Sequence, residues 1–169
     1  MLTIVKANAM HLEAVIDPSG FYRYSLSRTW DASKPRLAFI MLNPSRADHQ
    51  RNDPTIRRCL SLAQGWGYGS LEVVNLFAFR TAHPKLLKRA IAPVGPENDE
   101  HIQAAVQRSE KTVLAWGNWG SWQGRDRAVL ALLSAEKQKL YCLRLNKTGQ
   151  PRHPLYISSQ IEFSRWYKQ

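Results

Sequence analysis

A chain of 169 residues with 44% hydrophobic and 10% aromatic residues suits one packed domain and excludes a disordered polymer. No apolar run nears the ~20 residues needed to span a bilayer, and its 2 cysteines cannot build a four-thiolate metal or iron–sulfur site. A net charge of +11, from 24 Lys+Arg against 13 Asp+Glu, suits a polyanionic partner, most simply nucleic acid.

The N-terminus, Met1 to Lys6, has no signal-peptide pattern, so a cytoplasmic protein is expected; a monomer is expected as well. Ala14 to Ile16 and Phe21 to Leu26 flank Asp17-Pro18-Ser19-Gly20, which reads as a hairpin turn. Asp31 to Pro35 follows as a linker. Leu37 to Leu42 has no polar residue, as expected of a strand covered on both faces. Asp53 then caps a helix with Pro54 in its first turn; Ile56, Leu60 and Ala63 recur at helical spacing, and Gly65 or Gly67 ends it.

Leu71 to Leu76 is the second core strand. A short helix is expected over 85–91, and a longer one from Pro96-Glu97 to Glu110 with Ile102, Ala105 and Val106 inward. Thr112 to Ala115 is the third strand, Arg125 to Ala135 a helix, and Leu140 to Leu143 the fourth strand. Cys59 falls in a helix and Cys142 in a strand, and both read as small buried hydrophobes. Strands alternating with helices imply a parallel α/β sheet with right-handed crossovers. The expected organisation is one domain: a hairpin extension over 1–35, a core over 36–157 and a tail over 158–169.

Each strand runs into a polar cluster, and parallel pairing sets all four clusters along one sheet edge, where open α/β sheets bind ligands. Asn43-Pro44-Ser45 is either a turn or a means of holding an Asn at that edge. Asn75 either caps local backbone or presents an amide suited to a nucleobase edge. His153 lies between Arg152 and Pro154, as a surface residue or as a donor to a leaving group. Phe77 and Trp116 alternate with strand residues and read as core or as stacking partners, whereas Trp119 and Trp122 suit a ligand better. Arg46, Arg80 and Arg125 interleave with these aromatics. From Lys137 onward 7 basic residues face a single acid, Glu162, so positive charge gathers near the fourth cluster.

Taken in order, the clusters resemble the motifs of the uracil-DNA glycosylase superfamily. Leu42-Asn43-Pro44-Ser45-Arg46-Ala47 is similar to its first motif, in the Asn-Pro form of the mismatch-specific branch. Val73-Val74-Asn75-Leu76-Phe77 resembles the strand that carries a base-reading Asn. Leu114-Ala115-Trp116-Gly117 resembles the third strand, and Arg152-His153-Pro154-Leu155-Tyr156 the loop that closes the site. Asp53 to Cys59 and Trp66-Gly67-Tyr68-Gly69 also resemble a bacterial family of undetermined function.

The first resemblance implies a three-layer α/β sandwich around a four-stranded parallel sheet, preceded by the hairpin. It implies a monofunctional DNA glycosylase that hydrolyses the N-glycosidic bond of a flipped base, with DNA as partner and neither cofactor nor metal. Asn43 would position water, Asn75 would read the base and His153 would stabilise the departing anion. Leu155 or Tyr156 would wedge into the vacated stack. Asp48 is the alternative general base, while Asp53 reads as a helix cap. Ser45 stands where the uracil-specific branch has a bulky Tyr, which leaves room for a 5-substituted or otherwise modified pyrimidine beside Phe77 and Trp119. Arg46, Arg80, Lys147 and Arg152 would contact DNA; for Lys147 the other role is a Schiff base. A non-catalytic nucleic-acid-binding module and a nucleoside or nucleotide N-glycosidase are the competing functions.

Overall fold

The computed structural model describes residues 9–166. Residues 1–8 and 167–169, which the expected N-terminal extension and C-terminal tail included, lie outside the described residues, as does the Tyr156 side chain. The strands are β1 (His11–Ile16), β2 (Arg23–Thr29), β3 (Arg36–Met41), β4 (Ser70–Asn75), β5 (Lys111–Leu114), β6 (Leu140–Cys142) and β7 (Ser164–Arg165). The helices are α1 (Pro54–Gly65), α2 (Pro84–Arg89), α3 (Asn98–Arg108) and α4 (Arg125–Leu132). Short 3-10 segments cover Asn118–Gly124, Ser134–Lys139 and Pro154–Tyr156. Among the described residues no helix is long and apolar enough to cross a membrane.

Among the described residues the strands form one mixed sheet of 7, ordered β1-β2-β4-β3-β5-β6-β7. The inner pairings, β4 with β3, β3 with β5 and β5 with β6, are parallel. The outer ones, β1 with β2, β2 with β4 and β6 with β7, are antiparallel. This corrects the expected four-stranded sheet with a hairpin appended to it. Residues of the supposed extension join the sheet itself through β2, and the supposed tail returns to add β7.

Alternation along each strand sorts side chains to two faces. Leu37, Phe39 and Met41 of β3 point to a core shared with Ile56, Cys59, Leu60 and Ala63 of α1. Ile40 points to the opposite core, with Leu87 of α2, Ile102, Ala105 and Val106 of α3, and Val129 of α4. The chain therefore leaves β3 toward one face and leaves β4 and β5 toward the other. A crevice opens between such loops at the strands' carboxyl ends. Asp53 caps α1 by accepting from the Ile56 N–H at 2.9 Å, and Pro54 occupies the first turn, where no N–H is required.

Glu72 pins the opposite half of the sheet. It is 1% exposed and accepts from Ser25 Oγ at 2.9 Å, Arg36 Nη1 at 2.9 Å and Arg108 Nε at 2.7 Å, so it joins β2, β3 and α3 to β4. Burial alone would raise its carboxyl; the hydrogen bonds from Arg108, Ser25 and Arg36 outweigh burial and hold it below the ordinary value. Glu72→Gln is expected to cost about 2 kcal/mol in urea unfolding at neutral pH, below the full cost of breaking a buried pair because both arginines reach water. A depressed carboxylate stabilises above its unfolded value and loses that contribution as pH falls through the folded one. The gap between parent and variant should therefore close below pH 4.5.

Candidate ligand cleft and adjoining basic groove

At the carboxyl ends of the parallel strands lies a cleft of about 190 Å³. Asn43 and Ser45 after β3, Asn75 at the end of β4, Trp116 after β5 and His153 all line it. Four of the residues singled out in the sequence, Asn43, Ser45, Asn75 and His153, thus meet in space. Its volume is below that of pockets for drug-sized ligands and suits one small planar group.

Asn75 is the most informative of them. Its side chain is buried, with the residue 1% exposed, and among the described residues neither Oδ1 nor Nδ2 has a hydrogen-bond partner. Its backbone, by contrast, is held firmly. Asn98 Nδ2 donates to the Asn75 carbonyl at 2.9 Å and to the Leu76 carbonyl at 3.1 Å, and Arg125 Nε donates to the Leu76 carbonyl at 2.7 Å. An orphaned buried amide costs about 1–3 kcal/mol and is retained in native proteins where a ligand completes it.

Asn43 is anchored differently. Its Nδ2 donates to the carbonyls of Pro44 at 3.1 Å and Thr81 at 3.0 Å, tying the loop after β3 to the loop after β4. The Asn43 turn and the Asn43 site are therefore one feature: the amide nitrogen builds the loop, and Oδ1 is the acceptor left over. His153 Nδ1 accepts from the Leu155 N–H at 3.2 Å, which places the ring proton on Nε2. Burial lowers its pKa, and only Asp53 opposes this, so the neutral imidazole is the resident form.

The His153 loop is supported from two sides. Gly117 N–H donates to the Pro151 carbonyl at 2.8 Å, with Gly117 at φ 74. Arg58 of α1 donates to the Pro154 carbonyl at 3.3 Å and to the Ile157 carbonyl. Trp116 forms one wall; its Nε1 donates to Gln150 Oε1 at 2.7 Å. Gly120 lies flat against it, and a Cβ there would sit 2.0 Å from Trp116 Cδ1.

Two wall residues were missed in the sequence. Arg23 of β2 is 2% exposed and lines the cleft. Its Nη1 donates to the Ala47 carbonyl at 3.0 Å, while its Nε has no partner among the described residues. Burial lowers its pKa to about 10, which leaves it charged at neutral pH. Asp53, read as a helix cap, does cap α1 and is also the carboxylate that lines the cleft. Nothing in the alternation of β2 separates Arg23 from a solvent-facing arginine, so the sequence carried no signal for it.

A groove of about 580 Å³ adjoins the cleft and shares Ser45, Asp53 and Thr81 with it. Arg46, Arg51, Arg57 and Arg80 line it. Arg46 and Arg80 were expected on a polyanion path; Arg51 and Arg57 extend that path. Arg28, fully buried in β2, donates to Asn52 Oδ1 and to the carbonyls of Asp48 and Arg51, and so holds the loop that carries these residues.

Other expected site residues stand elsewhere. Asp48 does not line the cleft; its Oδ1 accepts from the N–H groups of Gln50 at 2.8 Å and Arg51 at 3.0 Å. These bonds hold its carboxyl below the ordinary value and fold the turn around it. Phe77 is fully buried in the helical core beside Trp122, at 5.1 Å between ring centroids, because β4 ends at Asn75 and the alternation breaks there. Trp119 lies outside the cleft under Lys88 Nζ, 3.8 Å from its ring centroid. Lys147 and Arg152 are exposed on the turn between Leu145 and the Pro154 segment, and neither lines the cleft. Leu155 is half-buried in the 3-10 turn after His153. Among the described residues no group of three or more His, Cys, Asp or Glu is placed to hold a metal ion.

Sheet and cleft define a basic α/β protein with a small polar pocket at the carboxyl ends of parallel strands. Residues 23–155 match the family described as "Protein of unknown function (DUF1643)", and the chain belongs to that family. No curated protein and no solved structure matches the chain.

Asn75→Leu, close in shape and without polar atoms, is expected to raise stability by about 1–3 kcal/mol in urea titrations. A loss of stability would mean that the amide already has a partner. Gly120→Ala is expected to displace Trp116, read as a change in near-ultraviolet circular dichroism and a lower melting temperature.

Proposed function

We propose that the cleft is the base pocket of a DNA glycosylase that excises a flipped pyrimidine, substituted at C5 or otherwise modified, to leave an abasic site. The observation that carries this reading is the buried Asn75 amide with both polar atoms unpartnered in a cleft sized for one base. An amide offers one donor face and one acceptor, which is what the edge of a pyrimidine requires. The ordered resemblance of the four clusters to the uracil-DNA glycosylase superfamily supports the same reading. So do the two helical layers about the sheet, which we take as that superfamily's three-layer arrangement. The half-buried Ser45 leaves space that a bulkier side chain would fill. The groove of Arg46, Arg51, Arg57 and Arg80 suits the phosphate backbone, and extrusion of the base is required because the bond is unreachable within a duplex.

In the reaction, water oxygen bonds to C1′ of the sugar as the C1′–N1 bond breaks, and the electron pair of that bond stays on the base. His153 Nε2–H donates to the departing anion. Asn43 Oδ1 accepts a hydrogen bond from the water and orients it. An amide cannot take the proton, so Asp53, the cleft carboxylate, replaces Asp48 as its acceptor and passes it to solvent.

One observation favours a non-catalytic nucleic-acid-binding module: Asn43 stands where a carboxylate would be the stronger base, and its nitrogen is committed to the loop. The same experiment separates the two. Duplexes carrying uracil, mismatches or 5-modified pyrimidines are incubated with the protein and scored for abasic sites. Product is expected from at least one modified base, and His153→Ala should lower the single-turnover rate by about 10²–10³. Tight DNA binding with no abasic product on any substrate would leave the module. Protonation of His153 Nδ1 would break the hydrogen bond from the Leu155 N–H that holds the ring, so the rate should be flat above pH 6.5 and fall on the acid side. DNA affinity should fall with salt at a log–log slope of about −3 to −4 if the four groove arginines each meet a phosphate.

A further inference from the structure

The proposed chemistry leaves Arg23 without a task, although it is the cleft's most deeply buried charge. Its neighbour across the sheet edge is Arg80. Tyr22 and Phe79 form an antiparallel bridge, Arg23 N–H donates to the Ala78 carbonyl at 3.0 Å and Arg80 N–H to the Phe21 carbonyl at 2.8 Å. The two arginines are therefore diagonal neighbours on one face of this bridge, Arg23 lining the cleft and Arg80 the groove. The guanidinium Nε atoms of both are buried and, among the described residues, without a partner. Among the described residues the one hydrogen bond of the Arg80 side chain runs from Nη1 to the Gly20 carbonyl at 3.3 Å.

Like charges held this close, beside Arg28 as well, are unfavourable unless a negative group joins them. Asp53 offsets part of the charge through space, but no ion pair joins it to Arg23 or Arg80 among the described residues; its Oδ1 is committed to the cap of α1. Planar guanidinium donors are the side-chain groups best suited to phosphate and carboxylate oxygens.

We infer that Arg23 and Arg80 form a seat for one oxyanion at the junction of cleft and groove, which fixes the nucleotide whose base enters the cleft. The inference rests on the base-pocket reading only for the identity of the nucleotide; the seat itself is a binding site for an oxyanion. Two sources supply that chemistry: the phosphate of the nucleotide, or an acidic substituent on its base. The strand pairing sets the seat at the mouth, beside the groove, and this favours the phosphate.

The test is equilibrium binding, followed by NMR titration, of thymidine, thymidine 5′-monophosphate and 5-carboxy-2′-deoxyuridine to the full chain. Binding needs no turnover, so its outcome is independent of whether abasic sites form. The monophosphate is expected to bind about tenfold tighter than thymidine, and Arg80→Gln should remove that advantage while the melting temperature holds. Arg23→Lys, which keeps the charge but loses the planar donors, should weaken it too and provides a second variant if one fails to fold. A gain for the carboxy nucleoside alone, lost in the same variants, would assign the seat to the base substituent. Equal affinities for all three, no monophosphate binding at millimolar concentration, or advantages that survive both substitutions would overturn the inference.

Discussion

Everything proposed for this protein depends on how the end of β4 is held. Asn98 at the start of α3 and Arg125 at the start of α4 donate to the carbonyls of Asn75 and Leu76. These carbonyls lie where the strand ladder stops, so side chains take over the role of a missing neighbour strand. The result is a strand end with a satisfied backbone and an unsatisfied side chain. A buried amide without partners would normally relax toward the nearest carbonyl or N–H; here the carbonyls beside it are already claimed. The fold thus spends stability to keep one donor and one acceptor open, the arrangement expected where binding energy is to be recovered from a ligand.

The same division recurs around the cleft. Asn43 uses its nitrogen to join two loops and keeps Oδ1 free. His153 uses Nδ1 to fold its own turn and keeps Nε2–H free. Asp53 uses one oxygen to cap α1 and brings its carboxylate to the cleft wall. For Asn43 and His153 one polar atom builds the frame and another is left for the cavity, so the free atoms inherit the rigidity of the frame; Asp53 Oδ2 also accepts, more weakly, from the Ala47 N–H at 3.4 Å. Preorganised dipoles of this kind need no rearrangement when charge develops, which is the main advantage of a protein site over water. The charged residues divide in a similar way: Arg28 spends its donors on the loop after β3 and on the Glu13 and Ser27 carbonyls, whereas Arg23 and Arg80 keep donors in reserve.

Much of this was legible in the sequence where period and punctuation agree. The unbroken apolar run of β3, the Asp53-Pro54 start of α1 and the run into Asn75 have physical signatures that tertiary context does not override. The meeting of Asn43, Ser45, Asn75 and His153 followed from four strands feeding one edge. Other features had no such signature. β2 reads Arg-Tyr-Ser-Leu-Ser-Arg, and its buried arginines look like surface residues until the loop carbonyls they bind are in place. For the same reason the hairpin passed for an appendage. The segment Asn118–Gly124 has no helical period and takes its 3-10 form from tight packing on Trp116. Which of Asp48 and Asp53 reaches the cleft could not be read from spacing, because both lie in the loop before α1 and only the turn at Gln50 and Arg51 sends Asp48 away. Phe77 shares parity with Asn75, and that parity ends where the strand does.

The central claim is that the open amide of Asn75 reads a base brought to it from DNA. A crystal structure of the protein with a duplex carrying a 2′-fluoro, cleavage-resistant, 5-substituted pyrimidine nucleotide tests this most directly. The expected result is a flipped base in the cleft with its edge hydrogen-bonded to both Asn75 side-chain atoms and its backbone along the arginine groove. DNA seated on another face, or in the groove with its bases stacked and the cleft unentered, would contradict it.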